Sequence, residues 1–133
     1  NCIDRLSSHY PWVVIDNEAG MEHISRQTTR DVDHLFIVTD PTRRGLEAAE
    51  RIVELIAELG ARIVKSYLVV NNVVGELPPS YLDAIKQLEV TFLGVLPHDP
   101  MVAEFDLLGR PLVNLDDSSL IYPAVKALLA KVL

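Results

Sequence analysis

The sequence predicts an open, doubly wound α/β domain with a mostly parallel sheet, and three observations predict it. Short β-branched apolar runs recur along the chain, and continuous apolar character marks strands that are covered on both faces. Segments of helical spacing separate these runs, the βαβ pattern of a parallel sheet. Each run also ends in polar residues or a turn: Asp16, then Asp40-Pro41, then Asn71, then Pro97-His98-Asp99. In open α/β sheets ligands gather beyond the carboxyl ends of the strands, so four such exits point to one site along one rim.

The elements follow in order. Asn1-Cys2-Ile3-Asp4-Arg5-Leu6 reads as the tail of a helix, and "WVVID" (12–16) as a buried strand. "HLFIVTD" (34–40) is the next strand. Helical spacing through Leu46, Ala49, Ile52, Val53, Ile56 and Leu59 stops at Gly60, a residue that accepts a helix-ending positive φ cheaply. "SYLVVNN" (66–72) is a strand, followed by the turn-rich "GELPPS" (75–80). Ser80 is the expected cap of a helix carrying Leu82, Ile85 and Leu88. "TFLGVLP" (91–97) is another strand, and a short helix over 101–105 and a long one over 118–133 close the chain. With no repeat, low-complexity stretch or linker, 1–133 reads as one domain, and a chain of this length buries roughly two-thirds of its unfolded surface.

Composition excludes several classes. At 49% hydrophobic the chain is globular rather than disordered. A formal net charge of −7 argues against nucleic-acid binding, which needs clustered Lys and Arg on phosphates; the adjacent Arg43 and Arg44 read as a solvated helix start. The apolar runs are strand-length, short of the ~20 residues a membrane helix needs. One cysteine, Cys2, allows no internal disulfide and reads as a semi-buried thiol in a reducing cytoplasm. Four scattered histidines with one cysteine make no zinc pattern. His9 reads as surface, His34 and His98 as strand-edge structural residues.

An Asp at the end of an apolar strand is what a nucleotide-hydrolysing P-loop domain uses to orient Mg²⁺ beside phosphates. Asp16 after "WVVI" fits that role, and Gly20 in the following "NEAG" lets the backbone approach an anion. A loop of this kind, ordered by a terminal phosphate and released on hydrolysis, is a known switch. Glu18 and Glu22, four apart, would share a helical face and repel, which suits a bound cation. A non-enzymatic, receiver-like module with Asp16 or Asp40 as phosphoacceptor is the other reading. It needs a Lys at a later strand end, whereas Lys65 precedes the 66–72 run.

"VVIDNEAGMEHISR" (13–26) resembles the Walker B and switch II segment of the CooC-type ATPases, accessory proteins of nickel carbon monoxide dehydrogenase maturation in the MinD/ParA-like branch of P-loop ATPases. The likeness continues through 31–52, 67–73 and 92–112 and corresponds to about the second half of a family member. The resemblance implies a partial P-loop fold and gives roles to matching positions. Asp16 would be the Walker B carboxylate, holding Mg²⁺ through water. Glu18, Gly20, Glu22 and His23 would form the switch. Asn71 would read adenine, and the loop Pro97-His98-Asp99 would wrap the base largely with backbone. It further implies ATP or ADP with Mg²⁺ as cofactors, a homodimer, and a carbon monoxide dehydrogenase or related metalloenzyme as partner.

Two features of that family are missing from these 133 residues: a glycine-rich G…GK[ST] loop, which cradles phosphates, and a Cys-x-Cys metal pair. Both would lie upstream of Asn1, so the chain is expected to be a fragment or processed product, inactive by itself, with nickel or zinc bound through residues outside it. Asn72 stands where the family often has a basic residue. The strand preceding the missing loop would lie between 12–16 and 34–39. Direct pairing of those two segments, or oligomerisation through the gap, is the expected response, because open strand edges recruit other strands.

Overall fold

Three strands rich in Val, Ile and Leu form a parallel sheet in the computed structural model, which describes Arg5, residues 8–17, 31–59 and 62–133. β1 (Asp31–Thr39) leads to α1 (Arg43–Leu59), β2 (Arg62–Val73) to α2 (Pro79–Lys86), and β3 (Thr91–Pro97) to α3 (Pro100–Leu107). A 3-10 turn over Leu112–Asn114 precedes α4 (Ile121–Ala130). The strand order is β1-β2-β3, with Ile37 opposite Leu68 and Val69 opposite Gly94.

Alternation along β2 sorts its side chains between two layers. Leu68 and Val70, both fully buried, face Ala49 of α1 and Ile85 of α2, with Leu46, Ile52, Val53, Tyr81 and Leu82 packed around them. The amphipathic spacing of α1 places Leu46, Ala49, Ile52 and Val53 on one stripe, and its opposite side is solvated: Arg43 pairs with Glu47 at 3.4 Å while standing almost free in water. Tyr67 and Val69 face the other way. Phe36 and His34 stack on Tyr67 there, with ring centroids 5.4 and 6.0 Å away. α4 covers the β3 end of this second face. It comes so close that a Cβ on Gly94 would stand 2.8 Å from Leu128 Cδ2. Helices on both faces of a parallel sheet are the doubly wound arrangement expected from the sequence.

The structure differs from the sequence reading in its secondary structure at 12–16, at Ser80 and at the closing helix. Residues 12–16 form no strand: they carry no regular secondary structure, are exposed, and pair neither with β1 nor with any other described strand. β-branched apolar residues favour a strand only where a ladder partner exists, and among the described residues none flanks them. Ser80 is not the cap of α2. Pro78 occupies that position and Pro79 starts the helix, a proline being suited to the first helical residue, where no N–H is needed. The closing helix is shorter than 118–133, because Asp116 to Ser119 spend their polar groups locally. Ser118 N and Oγ both donate to Asp116 Oδ1, and Ser119 Oγ donates to Asp116 O while accepting from Tyr122 N. The expected helix tail at 1–6, Cys2 and the helix stop at Gly60 fall on or run into residues outside those described.

Candidate functional site

The carboxyl rim of the sheet is built from the three strand exits. At the first, β1 ends in Thr39 and the chain turns at Asp40-Pro41 into α1. Thr42 Oγ1 donates to Asp40 Oδ1 at 2.6 Å and accepts from Gly45 N at 3.0 Å, so one hydroxyl joins the turn to the first turn of the helix. Tyr81 OH, from α2, donates to Asp40 O at 3.0 Å. Burial pushes the Tyr81 phenol above its ordinary value, Asp40 adds to this, and Thr39 partly opposes it. Gly45 is required by proximity: a Cβ there would fall 2.2 Å from Asp40 Oδ1 and 2.5 Å from Thr39 Oγ1.

The second exit lies in an irregular part of β2. The pairing with β3 runs to Val70–Val95 and resumes at Val73–Pro97, so Asn71 and Asn72 stand against the single residue Leu96. Two residues opposite one make a β-bulge. Asn71 is half-buried and lines a cleft of about 360 Å³ together with Thr39, Asp40, Gly45, Ala49 and Ile52. That volume falls in the range of small-molecule sites. The cleft offers an apolar wall from β1 and α1, a neutral amide that both donates and accepts, and an exposed carboxylate.

The third exit is Pro97-His98-Asp99. Pro97 closes the ladder opposite Val73, and His98 is exposed. Asp99 is buried at 7% exposure, with its carboxylate committed to backbone. Oδ1 accepts from Met101 N at 2.9 Å, capping α3, and Oδ2 accepts from Leu120 N at 2.9 Å and Ile121 N at 3.1 Å, at the start of α4. Burial pushes this carboxyl up, but the amides of Ile121, Met101 and Leu120, helped by His98, outweigh it and hold it below its ordinary value. Any contact from this loop to a ligand is therefore left to its backbone and to His98.

The structure thus brings Asn71 and Asp40 to one cleft, and Asn72 into contact with His98, whose Nδ1 lies 2.5 Å from Asn72 Oδ1. Asp16 is exposed and is not among the residues lining that cleft. Glu18, Gly20, Glu22 and His23 lie outside the described residues. Lys65 lies inside β2, opposite His34, not before the strand and not at its carboxyl end. A receiver-like reading therefore lacks its lysine. Thr39, Thr42, Gly45 and Tyr81 were not legible as site residues; the one available signal was Gly45, a glycine placed early in a helix of otherwise strong formers. Among the described residues no three His, Cys, Asp or Glu side chains are grouped to hold a metal, and no helix is long and apolar enough to cross a membrane.

No protein-family model matches the chain. It is 40% identical over 131 residues, 98% of its length, to an uncharacterized ATP-binding protein of Methanocaldococcus jannaschii, covering 52% of that protein. It is 32% identical over 111 residues to the carbon monoxide dehydrogenase accessory protein CooC of Rhodospirillum rubrum, covering 83% of this chain and 41% of CooC. The chain spans about half the length of the curated relatives it matches. In structure it resembles the MinD cell division protein of Aquifex aeolicus, with a TM-score of 0.77 over 97% of this chain and 56% of that one at 20% identity. The cell division ATPase MinD of Pyrococcus furiosus gives a TM-score of 0.68 at 22% identity. By sequence and by fold the chain is related to the ATP-binding proteins of the MinD/ParA-like P-loop class and carries a partial fold of that class.

Proposed function

We propose that this chain forms the adenine side and the Walker B portion of a MgATP site in a MinD/ParA-like ATPase. The observation that carries this reading is Asn71, set on a bulge at the carboxyl rim and lining a cleft of ligand size. Its amide donates to a ring nitrogen of adenine and accepts from the exocyclic amine. The Pro97-His98-Asp99 loop flanks the base through backbone. Asp16, with an exposed carboxylate, holds Mg²⁺ through water, and Glu18 and Gly20 belong to the switch that follows it. One carboxylate plus phosphate oxygens suits Mg²⁺, which keeps several waters and needs no cage of side chains.

The task favoured by the 13–26 segment is maturation of a nickel carbon monoxide dehydrogenase. The complete protein would act in the cytoplasm as a homodimer closed around nucleotide, with nickel or zinc held by residues outside this sequence. A MinD-like positioning role is the competing reading, and a nickel-binding assay on the native full-length polypeptide separates the two.

Calorimetric titration of MgATP tests the site. Asn71→Ala is expected to weaken ATP binding by the native polypeptide roughly tenfold, the equivalent of ~1.4 kcal/mol, and to erase its preference over GTP. Asp16→Asn is expected to remove the Mg²⁺ dependence of binding. These 133 residues alone, which contain no glycine-rich lysine loop, are expected to bind MgATP far more weakly. Equal affinity in the two polypeptides, or unchanged ATP binding in both variants, overturns the assignment.

A further inference from the structure

Among the described residues Asn72 is the one non-glycine with a positive φ, at 62°. This left-handed conformation is unfavourable for residues with a Cβ and is best tolerated by Asn, Asp and His. A residue kept there must be held by its surroundings, and the holding group is identifiable. His98 N donates to Val73 O at 2.9 Å, immediately after Asn72, and His98 Nδ1 lies 2.5 Å from Asn72 Oδ1. An amide oxygen only accepts, so this contact requires the Nδ1–H tautomer of His98. The exit of β3 therefore grips the exit of β2 twice, once by backbone and once by side chain.

The grip falls on the β-bulge that carries Asn71. Bulges turn a side chain out of the direction that strict alternation would give it, and they are common beside functional sites. The peptide joining Asn71 to Asn72 is set by the conformation of both residues. If Asn72 relaxes to negative φ, that peptide turns, and the Asn71 amide leaves its orientation in the cleft.

We propose that His98 is a positioning residue: by donating Nδ1–H to Asn72 Oδ1 it locks the β2 bulge and so aims Asn71 at the base. This rests on the reading of Asn71 as the base reader, and it adds that ATP-over-GTP selectivity depends on two residues that need not touch the base. In this chain Asn72 Oδ1 serves as the acceptor of the latch.

The test has a spectroscopic arm and a selectivity arm. In ¹⁵N-resolved NMR of this chain, His98 is expected as the Nδ1–H tautomer at mildly alkaline pH; an Nε2–H tautomer overturns the latch without reference to nucleotide. In the native full-length polypeptide, His98→Ala is expected to lower the ATP:GTP affinity ratio about three- to tenfold. Asn72→Gly keeps the left-handed backbone but lacks the acceptor, and is expected to lower the ratio as well. Asn72→Asp restores an acceptor oxygen and is expected to retain it. If Asn71→Ala abolishes selectivity while His98→Ala preserves it, the base reader stands and the latch is wrong. If Asn71→Ala leaves the ratio unchanged, the base-reader reading falls and the latch loses its purpose with it.

Discussion

Leu68→Ala is expected to lower the free energy of unfolding by roughly 3–5 kcal/mol, the range for emptying a buried leucine site that cannot collapse. Leu68 lies in the central strand, with Ile37 opposite on one side and Phe92 on the other, and it is fully buried. Ala49 and Ile85 reach the same cluster from two helices, so relaxation of any single element leaves the void open. In a chain of this size the loss corresponds to a fall in Tm of roughly 10 °C or more. Urea denaturation measures it, with the slope unchanged because the surface exposed on unfolding is nearly the same. Val64→Ala is the control: Val64 belongs to the same strand but is 71% exposed, and the expected change is within about 0.5 kcal/mol. A loss below about 1 kcal/mol for Leu68→Ala would mean that the core is not centred on β2.

Asp99→Ala is expected to be the second large effect, because it strands three backbone N–H groups at two helix starts. A fall in Tm of roughly 5–10 °C at neutral pH is expected, read by circular dichroism. The sign of the pH dependence follows from the direction of the shift. Asp99 and Asp116 both titrate below their ordinary value of 3.8 in the folded chain. For Asp116 the cause is first the Ser118 hydroxyl and then the Ser118 amide. The unfolded chain therefore binds their protons first as the pH falls. Their stabilisation is present in full above that value and is lost as pH drops through the lower folded values. Tyr81 acts at the opposite end: with its phenol raised above 10.0, stability is lost as pH climbs beyond that point. A plateau between these limits is expected, and Asp99→Asn should flatten its acid limb. An Asp99→Ala protein as stable as the wild type, with an unchanged acid limb, would show that the carboxylate caps neither helix.

Much of the fold was legible from the chain because apolarity and spacing report on local structure. β1 and β3 are bounded by Asp-Pro and Pro-His-Asp turns, and α1 by its stripe of Leu, Ala, Ile and Val, so type and place both follow. What periodicity cannot report is a neighbour. Residues 12–16 have every attribute of a strand except a partner, and a ladder needs two strands. The bulge was hidden for a related reason: Asn71-Asn72 reads as a strand exit, while the offset exists only relative to Val95 and Pro97 on another strand. Asp99 was legible as a polar residue at a strand exit, but its amide partners at Leu120 and Ile121 are 21 and 22 residues away. No local pattern connects them. Asn71 was legible as a polar residue at a strand exit, and the structure places it in the lining of the cleft; its reading as an adenine contact comes from the family resemblance alone.

Trp12 is the chain's only tryptophan, and it stands 67% exposed, four residues before Asp16. Its indole is thus an optical marker already built into the acidic segment. While that segment is uncovered its emission belongs to a water-exposed ring, and any partner strand or subunit that covers it shifts the light to the blue, with no label to be added.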